Sequence, residues 1–133
     1  MKPLMFDLFC GLGGATEGFQ AEGWDCIGID NERHQYGDQR YPAQLWIQDI
    51  LTISGAQLRA ADFLWASPPC QEFSYMAMPW SRAKQIESAL LGDDEFPDGY
   101  TGSRTKAELT ALFDACFRIQ REAIEAAGHF IPL

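Results

Sequence analysis

Seven residues near the start of the chain, Pro3–Phe9 (PLMFDLF), crowd large apolar side chains together and then run straight into Gly11, Gly13 and Gly14. A run this short and this apolar reads as a buried strand, and a glycine cluster directly after it as a tight turn. Glycine also lets the backbone approach a ligand, and a helix beginning there offers free amide groups to an anion. A chain that opens in this way is already restricted in what it can become, and the residues that follow keep the same rhythm.

Residues 14–22 are expected to form a short helix with Phe19 on its inner face and Gly23 as its stop. Residues 24–30 (WDCIGID) read as a second strand ending in an acid, and residues 31–41 as a helix closed before Pro42. Residues 44–48 and 62–66 are further strands, the latter halted by Pro68 and Pro69. Residues 72–104 show no period and hold Pro79, Gly92, Pro97, Gly99 and Gly102, so a long mobile loop with at most one helical stretch near 81–91 is expected. Residues 106–127 give the clearest helix, with Leu109, Leu112, Phe113, Cys116, Ala123, Ile124 and Ala127 on one stripe and Gly128 after it; His129–Leu133 begin a fifth strand. Strand and helix in alternation specify an α/β fold with a parallel sheet, and such sheets bind ligands at the carboxyl ends of their strands.

Three positions at those ends carry chemistry. The glycine turn Phe9–Gly14 (FCGLGG) departs from the dinucleotide fingerprint, because Thr16 stands where the last glycine would be. Asp30 lies 19 residues beyond Gly11, close to where an acid can accept hydrogen bonds from a ribose; on its own it reads as a cap for the helix expected over 31–41, and coupled to the glycine turn it reads as the ribose acid. Ser67–Ser74 (SPPCQEFS) places Cys70 behind two stiffening prolines at the end of a strand, where a thiolate could act as a nucleophile. Cys10, Cys26 and Cys116 fall on apolar faces and read as buried structural thiols. The tryptophans at 24, 46 and 65 read as core.

Composition bounds the rest. The 133 residues suit one domain, and the 47% apolar content suits a real core. Four dispersed cysteines and two isolated histidines lack the spacing of a zinc site, no run reaches the length of a membrane span, and no secretory signal opens the chain; a cytoplasmic location is expected. A net charge of −9 with no basic run argues against strong nucleic-acid binding by this chain alone.

Taken together, these motifs resemble those of the DNA (cytosine-5) methyltransferases. Asp7–Gly14 (DLFCGLGG) resembles the family's first motif and Ser67–Ser74 its fourth, in which a Pro-Cys pair carries the nucleophile; Asp30 matches the acid of the second motif and Asp49-Ile50 the third. Ser103-Arg104 and the helix after them resemble the segment following the family's catalytic loop. The resemblance implies a Rossmann-like S-adenosylmethionine-dependent methyltransferase sheet, broken off after the start of its fifth strand. It implies Cys70 as the catalytic thiol, and a cofactor site built from Phe9, Gly11, Leu12, Gly13, Gly14, Asp30, Asn31, Asp49, Ile50 and Pro69. Gln71, Ser74 and Arg104 are implied at double-stranded DNA with a flipped-out cytosine. The Glu-Asn-Val motif, the arginine-bearing motif and the target-recognition region of the family do not occur in these residues, so an incomplete or inactive fragment, or one part of a split enzyme completed by a C-terminal fragment, is expected. Three alternatives remain at this point: a tRNA cytosine-5 methyltransferase, a methyltransferase of exocyclic amino groups, which would fit Ser67-Pro68-Pro69 but not Cys70, and a non-catalytic cofactor-binding module.

Overall fold

The structure, a computed structural model, describes residues 1–68 and 106–133, with side chains of the second stretch described from Thr110 onward. Residues 1–68 and 112–133 make one compact unit; residues 69–111 make another, of which only the start of a helix is described.

The first unit is built on a four-stranded sheet of β1 (Leu4–Leu8), β2 (Asp25–Asp30), β5 (Gln44–Ile47) and β6 (Phe63–Ala66), in the order β5-β2-β1-β6 with every pairing parallel. The sheet runs outward from β1 through β2 to β5, then returns to place β6 on the other side of β1. That return puts a topological switch point at the carboxyl ends of β1 and β6, the place where open α/β sheets hold their ligands. The parallel α/β architecture expected from the alternation is therefore present.

Side-chain alternation along β1 explains how the sheet is covered. Phe6 and Leu8 join a core with Ile29, Ile50, Ile53, Leu58 and Leu64, closed by Ala115, Ile119 and Ala123 of α2 (Lys106–Ala127). Asp7 points the other way, towards α1 (Gly14–Ala21), where Thr16 meets it. An aromatic group of Phe19, Trp24, Phe63 and Trp65 extends that second layer. Trp65 is nonetheless 40% exposed, so the expectation of a core tryptophan holds for it only in part. Both helices stop where glycine takes a positive φ, Gly23 at 86° and Gly128 at 77°.

Two expectations need correction. Residues 31–41 do not form a helix: Gln35–Tyr36 (β3) and Gln39–Arg40 (β4) pair as an antiparallel hairpin. Gly37 leads its two-residue loop at φ 60°, the geometry of a type II′ turn, and a glycine-aspartate pair between two polar dipeptides favours that turn over a helix interior. Likewise, no strand is assigned to 129–133. The segment runs extended enough for Leu64 N to donate to Pro132 O, and Ile131 is fully buried, so only its packing is strand-like. The expected loop and helical stretch within 72–104 lie outside the described residues. Among the described residues no helix is long and apolar enough to cross a membrane, and no cluster of side chains could hold a metal.

Candidate functional site

The glycine turn hangs from the end of β2. Phe9 N and Cys10 N both donate to Ile29 O, at 2.9 and 3.3 Å, and Gly13 N donates to Cys10 O at 2.9 Å. Phe9, Gly11 and Gly13 all adopt positive φ, at 58°, 54° and 88°. For a phenylalanine that is a strained conformation, of order 1–3 kcal/mol, and it survives only where neighbours impose it. Gly13 needs its missing side chain twice, since a methyl there would come within 2.5 Å of Pro42 Cδ and 2.9 Å of Tyr41 Cδ2. Gly14 is different. Its φ is not positive and a methyl would meet nothing within 4 Å, so no neighbour requires glycine in this first turn of α1. Open space over Gly11 and Gly14 is what a bound cofactor needs for close approach to the backbone.

Asp30 is tied to this turn directly. It is 8% exposed; one carboxylate oxygen accepts from Gly11 N at 3.0 Å, the other from Asn31 N at 2.8 Å with His34 Nε2 at 3.3 Å. With no helix after it, the capping role falls away. The oxygen held by Gly11 retains capacity for a further donor such as a ribose hydroxyl. His34 was not singled out from the sequence, because an isolated histidine in a polar stretch carries no local signal of a partner at Asp30.

Gln48 N donates to Asp30 O at 2.9 Å, which brings the exit of β5 to the same edge. Asp49 follows, exposed, accepting from Leu51 N at 2.9 Å as the cap of a 3-10 turn at Ile50–Thr52. The side chain of Ile50 is a core residue at 3% exposure. Across the sheet, Ser67 N donates to Leu8 O at 3.2 Å, so the segment leading to Cys70 leaves the sheet beside the glycine turn. Pro69, Cys70, Gln71, Ser74 and Arg104 lie outside the described residues. An open groove of about 920 Å³ adjoins the turn, but of the expected cofactor residues only Leu12 and Gly14 line it, together with Arg33, just before the hairpin, and hairpin residues such as Gln39 and Arg40.

Beneath the turn lies a buried polar chain. Thr16 Oγ1 donates to Asp7 Oδ2 at 2.8 Å and sits 2.6 Å from the Tyr41 hydroxyl. Burial, reinforced by the nearby Asp30 carboxylate, pushes the Asp7 carboxyl up to about 6, against hydrogen bonds from Thr16 that pull it down. The same environment decides which thiols can react. Burial, then the Asp7 and Asp30 carboxylates, push Cys10 up to about 12, and burial also raises Cys26 and Cys116. All three are free and buried, as the sequence suggested, and none has the lowered pKa of a nucleophile.

Comparison with known proteins matches residues 4–85 to the model of the C-5 cytosine-specific DNA methylases. The chain belongs to that family. The matched span contains both the glycine turn and Ser67–Ser74, and it stops short of Ser103-Arg104. No curated protein and no solved structure matches the chain. Membership supports DNA cytosine methyltransferase activity in general, and the family generally uses S-adenosylmethionine.

Proposed function

We propose that this methylase transfers a methyl group from S-adenosylmethionine to carbon 5 of cytosine in DNA, with Cys70 as the attacking thiol. The observation that carries the reading is the family match across 4–85, because it spans both the turn that would hold the cofactor and the strand end that carries the thiol. Asp30, anchored on Gly11, would take the ribose; Asp49, exposed at the same edge, would take the adenine amino group; Phe9 would pack on the adenine; and the open faces of Gly11 and Gly14 would receive the amino-acid part, with Leu12, Asn31, the Ile50 backbone and Pro69 around it.

Cytosine carbon 5 is a weak nucleophile. A Cys70 thiolate bonding to carbon 6 would turn the ring into an enamine whose carbon 5 is nucleophilic; S-adenosylmethionine, when bound, would supply the methyl group from its sulfonium. Removal of the carbon-5 proton to a base breaks the sulfur–carbon bond and restores aromaticity. The cytosine has to leave the helical stack for this chemistry. Gln71, Ser74 and Arg104 are proposed at the nucleic acid. Cys10 cannot take the nucleophile's place, since a thiol titrating near 12 has negligible thiolate at neutral pH.

The test is a covalent trap. DNA carrying 5-fluorocytosine cannot release the enzyme once methylated, so with S-adenosylmethionine, and with a complementing C-terminal fragment where the chain alone is inert, a cross-linked product is expected. Cys70→Ser should give none. A cross-link that persists in Cys70→Ser would reject the assignment, and one formed on tRNA but not on DNA would move the substrate class.

A further inference from the structure

Tyr41 closes the underside of the glycine turn. It follows the hairpin directly and is 3% exposed. Its ring lies between two glycines from different elements: a methyl on Gly13 would come within 2.9 Å of Tyr41 Cδ2, and a methyl on Gly28 of β2 within 2.5 Å of Tyr41 Cζ and 2.7 Å of Cys10 Sγ. Any side chain at either glycine would displace the ring.

The hydroxyl is fixed as firmly. Thr16 has one hydroxyl proton and gives it to the Asp7 carboxylate at 2.8 Å. The Tyr41 hydroxyl, 2.6 Å from Thr16 Oγ1, must then be the donor in that pair whenever Asp7 is ionised. One side chain thus spans β1 through Asp7, α1 through Thr16, β2 through Gly28, and the turn through Gly13. Three positive-φ residues within five positions, one of them phenylalanine, need such external support to keep a single shape.

We propose that Tyr41 is a positioning residue of the cofactor site: its ring, wedged between Gly13 and Gly28, holds the turn in its ligand-ready form, and its hydroxyl pins the ring to Asp7 through Thr16. This rests on the cofactor reading given above. The wedge touches the Gly13 end of the turn, whereas Asp30 takes its hydrogen bonds from Gly11, Asn31 and His34. Loss of the ring therefore acts on the amino-acid part of the cofactor before it acts on the nucleoside.

The experiment measures binding of S-adenosylhomocysteine and of adenosine by calorimetry, together with amide hydrogen exchange over residues 9–14, in the wild-type chain and in Tyr41→Ala, Tyr41→Phe and Gly28→Ala. Tyr41→Ala is expected to weaken S-adenosylhomocysteine at least ~10-fold and adenosine less than ~3-fold, with faster exchange in the turn. Tyr41→Phe, which keeps the wedge, should restore most of the affinity. Gly28→Ala pushes the ring from the far side, should repeat the selective loss, and decides the matter if Tyr41→Ala does not fold. Equal loss of both ligands, or unchanged exchange in the turn, overturns the proposal. If the wild-type chain binds neither ligand, the cofactor reading fails, and unchanged exchange in Tyr41→Ala or Gly28→Ala would then overturn the wedge separately.

Discussion

Asp7 offers the most direct check on the electrostatics beneath the turn. Its carboxyl moves from 3.8 to about 6 on folding, with burial as the main cause and Asp30 as a further one. The folded carboxyl therefore holds its proton more tightly than the unfolded one. Its contribution to stability is fully present below the unfolded value and is lost as pH rises through about 6. At ~1.4 kcal/mol for each tenfold change in proton affinity, the ionised Asp7 destabilises the neutral-pH fold by about 3 kcal/mol relative to strong acid. Of this, roughly half should return between about pH 7.5 and about pH 5. With a urea m-value of ~2 kcal/mol/M for a chain of this size, that is a rise on the order of half a molar to one molar in the midpoint. Other carboxylates of the acidic chain titrate in the same window, so the informative quantity is the wild-type curve minus that of Asp7→Asn. Asparagine keeps an oxygen for Thr16 and cannot ionise. The difference should be level above about pH 7 and shrink along a ramp that starts near 6 and ends near the unfolded value of 3.8. Parallel curves for the two proteins would refute the argument and place the buried carboxyl's cost elsewhere.

Two further outcomes are expected. Gly55→Ala should destabilise the fold by about 2–4 kcal/mol in the same urea assay, because its Cβ would collide with Ile119 O and Glu122 Cβ on α2 and disturb the Gly55 N bond to Glu122; an unchanged midpoint would show that the helix can move away at little cost. If the cofactor's sulfonium lies near Asp7, the preference for cationic S-adenosylmethionine over neutral S-adenosylhomocysteine should grow as pH rises through about 6 in the wild type and stay flat in Asp7→Asn, read by paired titration calorimetry; a flat wild-type ratio would remove the sulfonium from that neighbourhood.

What the sequence disclosed was whatever is written in local pattern. β1, β2, β5, β6 and both helices fall within a residue or two of the expected bounds, because buried strands are dense in apolar residues and α2 repeats its apolar positions at the helical period. Asp30 was legible from its distance to the glycines, and its bond to Gly11 N joins two motifs that the sequence could only set side by side. The hairpin at 35–40 was missed, although Gly37-Asp38 is a turn signal, because spaced aromatics around it imitate a helix face. Gly55, Thr16 and Tyr41 were missed for another reason. Each matters through a neighbour far along the chain: Gly55 through Ile119, Thr16 through Asp7 and Tyr41, Tyr41 through Gly28. No local pattern encodes such pairs.

Several features of the switch point work against stability, and their concentration there is informative. Phe9 holds a left-handed backbone that glycine would adopt without strain. Gly14 opens α1 without a positive φ and with no packing reason among its neighbours for lacking a side chain. Asp7 is buried and ionised near another carboxylate. The positive-φ glycines that end the helices, Gly23 and Gly128, have an ordinary explanation in their capping bonds to Gln20 O and Ile124 O. Phe9 and Gly14 end no helix and have no such explanation. Departures from local preference that packing does not explain are expected where a ligand compensates them. A ligand that would do so must approach the bare backbone of Gly11 and Gly14 and tolerate or exploit nearby negative charge. S-adenosylmethionine, the cofactor that the family generally uses, is a nucleoside joined to a sulfonium-bearing amino acid and is compatible with both requirements.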